Sequence, residues 1–264
     1  MEPLTDTGTV RIAFAVTDDE PFDFSPGEWI ALEEQVPGIG LRRSLYCIFS
    51  PPRPDRRFDL LLRVLPDGPL SKYLAGLGPG DEIHFRGPLG RSMLPSEGDD
   101  ELVLLATGVG ISPFYSLCQH LASHGDQRRI RLYWGVRLTD DICLLDDLDD
   151  LVARQPGFSY QISLSEPPPE WPHLRGRLTE SVPPLLESLG GKQFYLSGNG
   201  AMIEEMVLAL SSLGVDRVFI HKEPFFNVKY RPDPVTVNAI VGRFVADDLV
   251  STRINLLPRV LPSE

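Results

Sequence analysis

The segment Leu105-Ala106-Thr107-Gly108-Val109-Gly110-Ile111-Ser112-Pro113-Phe114 sets two glycines directly after an apolar run and in front of a helical pattern. Glycines there let backbone amides approach a pyrophosphate, whose charge then meets the positive end of the helix. Pro113 stands where the usual dinucleotide fingerprint has its third glycine, so the match is partial, and a tight strand–helix turn without ligand is the competing reading. Nearer the N-terminus, Arg42-Arg43-Ser44-Leu45-Tyr46-Cys47-Ile48 places an aromatic ring beside arginines. Tyrosine offers a flat face for stacking and arginine a planar fork for phosphate, though a half-buried strand tyrosine would look the same. Asp67-Gly68-Pro69-Leu70-Ser71 adds small residues and a hydroxyl at a helix start, the pattern of a phosphate nest.

These segments need a scaffold, and the hydrophobic pattern supplies two. From residue 8 to about 90, short alternating runs (Thr9–Val16, Trp29–Leu32, Leu45–Phe49, Phe58–Leu65, Glu82–Arg86) are separated by turns such as Pro26-Gly27 and Pro79-Gly80, which reads as an antiparallel β-barrel. The acidic stretch 95–100 interrupts the pattern and marks a boundary at 98/99. Beyond it, five runs (Leu102–Ala106, Ile130–Val136, Tyr160–Leu164, Phe194–Leu196, Val218–Ile220) alternate with helical segments. One helix carries Phe114, Leu117, Cys118 and Leu121 and closes at Gly125; another carries Met202, Met206, Val207 and Leu210 and stops near Gly214. Strands alternating with helices predict a doubly wound parallel five-stranded sheet, with ligands at the carboxyl ends of its strands. Residues 1–98 and 99–230 form the two expected domains, and 231–264 is an extension of unassigned role.

Composition narrows the function. With 264 residues, 42% hydrophobic and 23% charged, the chain has the make-up of a globular protein of two ordinary domains. No apolar run reaches the roughly 20 residues of a membrane span, and the start lacks a basic, then apolar, leader; the expected location is cytoplasmic. Three scattered cysteines give neither a disulfide framework nor a metal motif, so no metal site is expected and any iron–sulfur centre belongs to a partner. A net charge of −12 opposes nucleic acid and anionic membranes as partners.

Taken in order over residues 8–226, these segments resemble the ferredoxin–NADP reductase superfamily of flavoproteins. Ser44-Leu45-Tyr46-Cys47 and Gly68-Pro69-Leu70-Ser71 are similar to that family's two FAD-binding segments. Thr107-Gly108-Val109-Gly110, Trp134-Gly135-Val136-Arg137 and Ser197-Gly198-Asn199-Gly200-Ala201-Met202 resemble its NAD(P)-binding loops, and Lys222–Phe226 its late acidic–aromatic segment. The resemblance implies an FAD-dependent NAD(P)H oxidoreductase, with hydride passing between nicotinamide C4 and flavin N5 and the flavin carrying the redox chemistry. It implies catalytic places for Tyr46, Cys47, Ser197 and Glu223. It also implies cofactor contacts for Arg43, Ser44, Ile48, Arg63, Val64, Gly68–Ser71, Thr107, Gly108, Gly110, Pro113, Arg137, Ser165, Arg177, Gly198, Asn199 and Met202.

The chain departs from the family at the reacting centre. The arginine two before the tyrosine is Ser44, leaving Arg43, Arg42 or Arg63 for the flavin pyrophosphate. The family's serine near N5 is Cys47 and its cysteine near C4 is Ser197. A thiol is the weaker donor, so Cys47 is expected to support hydride transfer less well than serine. Arg137 and Arg177 would favour the 2′-phosphate of NADPH, whereas Ser165 and Glu166 match NADH-dependent relatives; the balance tips toward NADH.

The implied electron partner is a ferredoxin, a flavodoxin or an oxygenase component. Arginines 42, 43, 53, 56 and 57 form a candidate basic patch near the flavin, and Asp140–Asp150, with six carboxylates and no base, a candidate repulsive face or a solvated helix. Two alternatives share these motifs: a reductase of free flavin or another small acceptor, and a flavin-binding electron-bridging or regulatory subunit with weakened hydride chemistry.

Overall fold

In a computed structural model, residues 1–96 and 101–225 are described. The expected boundary at 98/99, Phe226 and the extension 231–264 lie outside them. In chain order the front part contains β1 (Glu2–Pro3), β2 (Thr9–Ala15), β3 (Trp29–Val36), β4 (Gly40–Cys47), β5 (Arg57–Arg63), α1 (Pro69–Ala75) and β6 (Phe85–Leu89). The back part contains β7 (Glu101–Thr107), α2 (Ser112–Ser123), β8 (Arg129–Val136), α3 (Leu145–Arg154), β9 (Phe158–Leu164), β10 (Leu174–Arg175), α4 (Leu178–Ser181), β11 (Lys192–Asn199), α5 (Gly200–Ser212) and β12 (Ile220–Phe225).

The front strands form two antiparallel three-stranded sheets, β1-β2-β5 and β4-β3-β6, bridged at Ile48–Leu60. Alternating side chains from both fill the space between them: Phe58 meets Phe22 at 5.2 Å, Phe85 at 5.3 Å and Phe14 at 5.4 Å between ring centroids. Expected and observed strands differ at several edges: Glu2–Pro3 adds a short β1, and β3 continues past Leu32 to Val36. Polar Arg42, Arg43 and Ser44 belong to β4, which runs from Gly40, and the strand expected at Glu82–Arg86 begins only at Phe85.

The back part is a parallel sheet of order β10-β9-β8-β7-β11-β12. β7 lies at its centre, covered on both faces, which is why its sequence is continuously apolar rather than alternating. The five expected strands become six because Leu174–Arg175, too short to show a period, pairs with β9. Val218 and Phe219 are not strand residues: Asp216 accepts a hydrogen bond from Val218 N–H and caps a 3-10 turn over Arg217–Phe219, so β12 starts at Ile220. The helices end as expected, with Gly125 at φ +68° after α2 and Gly214 at φ +93° after α5.

One buried cluster crosses between the two parts. Phe49, Leu61 and Met93 join the core around Leu104, Phe114 and Trp134. Phe49 stacks on Tyr115 at 4.3 Å with 6° between ring planes, and Ser116 Oγ donates to Ser50 O at 2.8 Å. The Arg63–Asp141 ion pair, 2.7 Å, ties the end of β5 to the loop after β8.

Candidate functional site

The carboxyl ends of β7, β8, β9 and β11 open into a cleft of about 510 Å³. Thr107, Gly108, Arg137, Ser165, Arg177, Asn199 and Met202 line it, joined from the front part by Thr9, Leu61 and Arg63. Two loops lock together at its floor. A methyl on Gly110 would lie 2.6 Å from Gly198 Cα and 2.8 Å from Ser197 O; one on Gly198, at φ +118°, would lie 2.4 Å from Thr107 Oγ1. Thr107 Oγ1 accepts from Asn199 N–H at 2.9 Å, and the Asn199 side chain caps α5 by accepting from Ala201 N–H. Gly108, at φ +53°, faces open space, with nothing within 4 Å of a Cβ. Gly110 and Gly198 thus shape the loop from behind. Pro113 is buried in the first turn of α2, away from the cleft lining.

At the outer end, Arg137 Nε donates to Glu166 Oε1 at 2.8 Å, and that contact raises the guanidinium pKa further. Ser165 N–H donates to Val136 O, which fixes the loop after β9 against β8. Arg177 sits on the same rim and has no ion pair among the described residues, while Thr179 Oγ1 donates to Glu205 at 3.2 Å.

In the front part, the β3–β4 register is regular, so Arg42, Ser44 and Tyr46 share one face and Arg43, Leu45 and Cys47 the other. Arg43 therefore points away from the tyrosine face and pairs with Glu33 at 2.5 Å. Tyr46 is packed against the barrel core; burial pushes its hydroxyl up to about 12, partly offset by a bond with Ser44. Ile48 is fully inside that core, and Val64 N–H is bonded to Gly8 O. Ser71 Oγ donates to Gly68 O at 2.9 Å and accepts from Leu65 N–H at 3.1 Å, so the hydroxyl expected to face a phosphate closes the turn instead. Gly68 is needed for that closure: a methyl there would lie 2.5 Å from Ser71 Oγ. Pro69 opens α1 and Leu70 anchors it in the core.

Of the four expected catalytic residues, Cys47, Ser197 and Glu223 come together where the two parts meet, while Tyr46 faces the barrel core. Cys47 is buried with Trp29, Ala31 and Leu89, and Phe225 packs against that group. Burial, then the charge of Glu223, pushes its thiol well above the ordinary value. Ser197 stands directly opposite Glu223 across β11 and β12. Its hydroxyl is fully buried and has no hydrogen-bond partner among the described residues.

The candidate basic patch is largely neutralised: Arg43, Arg53, Arg56 and Arg57 all pair with carboxylates, at 2.5, 2.9, 3.1 and 3.9 Å. The acidic run is likewise engaged, Asp141 by Arg63, Asp147 by Tyr115, Asp149 by Tyr160 and Asp150 by Arg154. Among the described residues no group of three or more His, Cys, Asp or Glu is placed to hold a metal, and no helix is long and apolar enough to cross a membrane. Sequence reasoning did not find Thr9, Leu61 and Asp141, which reach the cleft only through tertiary packing, or the bond from Trp134 Nε1 to Gly108 O, 2.9 Å.

Two observations bear on whether these residues fit a flavin and a nicotinamide dinucleotide. The glycine loop leaves its backbone open to the cleft at Gly108, and a buried hydroxyl without partner, Ser197, stands beside the junction of the two parts. Both fit. A strand-built part facing a parallel sheet, with a glycine-floored cleft between them, is the two-part arrangement that can hold a flavin on one side and a nicotinamide dinucleotide on the other. Residues 5–93 match the oxidoreductase FAD-binding domain and residues 104–207 the oxidoreductase NAD-binding domain. The chain belongs to the ferredoxin–NADP reductase-like family of FAD- and NAD(P)-binding oxidoreductases.

Among its relatives, the toluate 1,2-dioxygenase electron transfer component of Pseudomonas putida is 32% identical over 82% of this chain. The chain spans only 63% of that protein's length. Ferredoxin–NADP reductase B of Sorangium cellulosum (strain So ce56) is 29% identical over 81% of the chain, which spans 91% of that relative. The crystal structure of Amycolatopsis cytochrome P450 reductase GcoB superposes with a TM-score of 0.74 at 28% identity, covering 84% of this chain and 66% of that one.

Proposed function

We propose that this protein is an FAD-dependent NADH oxidoreductase that passes electrons to a separate carrier, a ferredoxin, a flavodoxin or an oxygenase component. The observation that carries the reading is the cleft itself: the glycine rim of the parallel sheet and residues of the strand-built part line one cavity, which a dinucleotide can enter beside the Cys47–Ser197–Glu223 junction. Bound FAD supplies the redox chemistry, taking two electrons as hydride and releasing them singly.

The chain's residues bind, orient and exclude water. In this reading Tyr46 offers its ring to the flavin, and Arg42, which shares its face, takes the pyrophosphate role expected of Arg43. The Gly68–Ser71 turn shapes the neighbouring backbone, with the Ser71 hydroxyl held inward. Thr107–Gly110 receives the pyrophosphate of the nicotinamide nucleotide through backbone amides. Arg137, Ser165 and Arg177 border its adenosine end, and Ser197–Met202 its nicotinamide end. Ser197 Oγ, buried and without partner, gains a hydrogen bond when a polar group enters. Glu223 stands opposite it, in the place for proton exchange.

The choice of NADH rests on Arg137, whose guanidinium is taken by Glu166 at 2.8 Å. A 2′-phosphate would have to displace that carboxylate and then sit beside it. The proposal includes domains at 1–98 and 99–230, a separate segment from 231 and a cytoplasmic location. Steady-state electron transfer to a ferredoxin, with NADH and NADPH compared by kcat/KM, tests it. A higher value with NADH is expected; a higher value with NADPH would overturn the nucleotide assignment, and no transfer with either would overturn the function.

A further inference from the structure

Trp134 is the largest fully buried side chain, yet it borders the cleft, and its one polar atom is spent on the glycine loop. Nε1 donates to Gly108 O at 2.9 Å. Gly108 is the loop's least restrained residue: it lies at φ +53°, is exposed, and has nothing within 4 Å of a Cβ. Gly108 opens a 3-10 turn, Gly108–Ile111, and with no side chain of its own lets the Gly108–Val109 peptide tilt within that turn. In a trans peptide the carbonyl of Gly108 and the N–H of Val109 point opposite ways. Tilted one way the peptide offers its N–H to an anion; tilted the other it brings its carbonyl nearer, which repels it.

We propose that Trp134 is a positioning residue that sets the Gly108–Val109 peptide, keeping its carbonyl on the indole and its N–H available to the pyrophosphate of a nicotinamide dinucleotide. The proposal rests on the reading of this cleft as the dinucleotide site. Neighbouring geometry supports it. Gly110 and Gly198 are locked by backbone contact, Thr107 by its bond to Asn199 N–H and Val109 by its side chain against the core, so within 107–110 it is Gly108 that packing leaves open. Trp134 closes that freedom from the adjacent strand, where it pairs in register with Ala106.

The test uses Trp134→Phe, which keeps an aromatic ring but removes the donor, with oxidised NAD⁺ titrated calorimetrically so that no turnover is involved. Loss of one such bond predicts about tenfold weaker binding, and in turnover a KM for NADH that rises more than kcat falls. Leu132→Ala, on the same face of β8 and 1% exposed, loosens the packing while leaving the indole in place, and should leave NAD⁺ affinity unchanged. Unchanged affinity in Trp134→Phe, or equal weakening in Leu132→Ala, overturns the proposal. Should Trp134→Phe fail to fold, hydrogen exchange of the indole N–H in the native protein decides: slow exchange before and after NAD⁺ supports the role, and fast exchange in free protein refutes it. Failure of the native protein to bind either nucleotide would overturn the site reading itself.

Discussion

Replacing Gly110 by alanine is the sharpest perturbation of the proposed nucleotide loop. Its methyl would meet backbone at every nearest contact, 2.6 Å from Gly198 Cα, 2.8 Å from Gly198 N and 2.8 Å from Ser197 O. Ordinary contact begins at 3.4 Å, so the two loops must part by about 0.8 Å, and no flexible side chain is available to yield. Overpacking of this kind costs about 1–3 kcal/mol of stability, and displacing a binding loop by roughly 1 Å costs up to about 10²-fold in rate. The expected result in Gly110→Ala is a lower unfolding midpoint and a kcat/KM for NADH reduced by about 30–100-fold, with flavin content unchanged. Gly108→Ala is the companion: its methyl enters open space, so stability falls only by the roughly 1 kcal/mol of a left-handed alanine, while the side facing the nucleotide is blocked. Urea unfolding and stopped-flow reduction of both variants separate the two effects. Native-like stability and NADH affinity in Gly110→Ala would refute the reasoning.

Three other outcomes are expected. Glu166→Gln releases Arg137 and should raise kcat/KM with NADPH about tenfold, the order of one charge-assisted hydrogen bond; an unchanged ratio of NADH to NADPH activity would show that the pair does not select the nucleotide. Cys47→Ser places a stronger donor at the junction, so anaerobic flavin reduction by NADH should be faster in stopped flow, and a slower rate contradicts the assignment. Burial alone would raise the Asp141 carboxyl, but bonds from Arg63, Thr7 and the Leu138 amide outweigh it and hold it below the ordinary value. Its stabilising contribution is therefore complete above about 3.9, the unfolded value, and is lost as pH falls through the lower folded value. Denaturant unfolding between pH 2 and 5 should show a shallower acid loss in Asp141→Asn than in the native protein; identical slopes would exclude the pair as a source of acid sensitivity.

Much of the architecture is legible in the sequence because burial on two faces leaves a plain signature. The unbroken apolar run of β7, the glycines that follow it, and the helix ends at Gly125 and Gly214 all read correctly. What did not read is decided by pairing and by tertiary approach. The two residues of β10 have no period to detect, and the turn at Val218 depends on the Asp216 cap rather than on β-propensity. Strand alternation leaves Arg42, Arg43 and Arg63 open in the sequence; only the register shows Arg43 on the face away from Tyr46, paired with Glu33. The basic patch dissolves for the same reason: sequence counts the arginines, while only the fold shows Asp18, Asp55 and Asp59 beside them.

The central claim is that this chain joins flavin and nicotinamide chemistry across one cleft. Anaerobic titration of the purified protein with NADH, followed by visible absorbance, tests it most directly. A yellow protein whose flavin absorbance bleaches with about one equivalent of NADH per flavin, the stoichiometry of hydride transfer, and more slowly with NADPH, is the predicted result. A colourless protein, or a yellow one that neither nucleotide bleaches, would contradict the account.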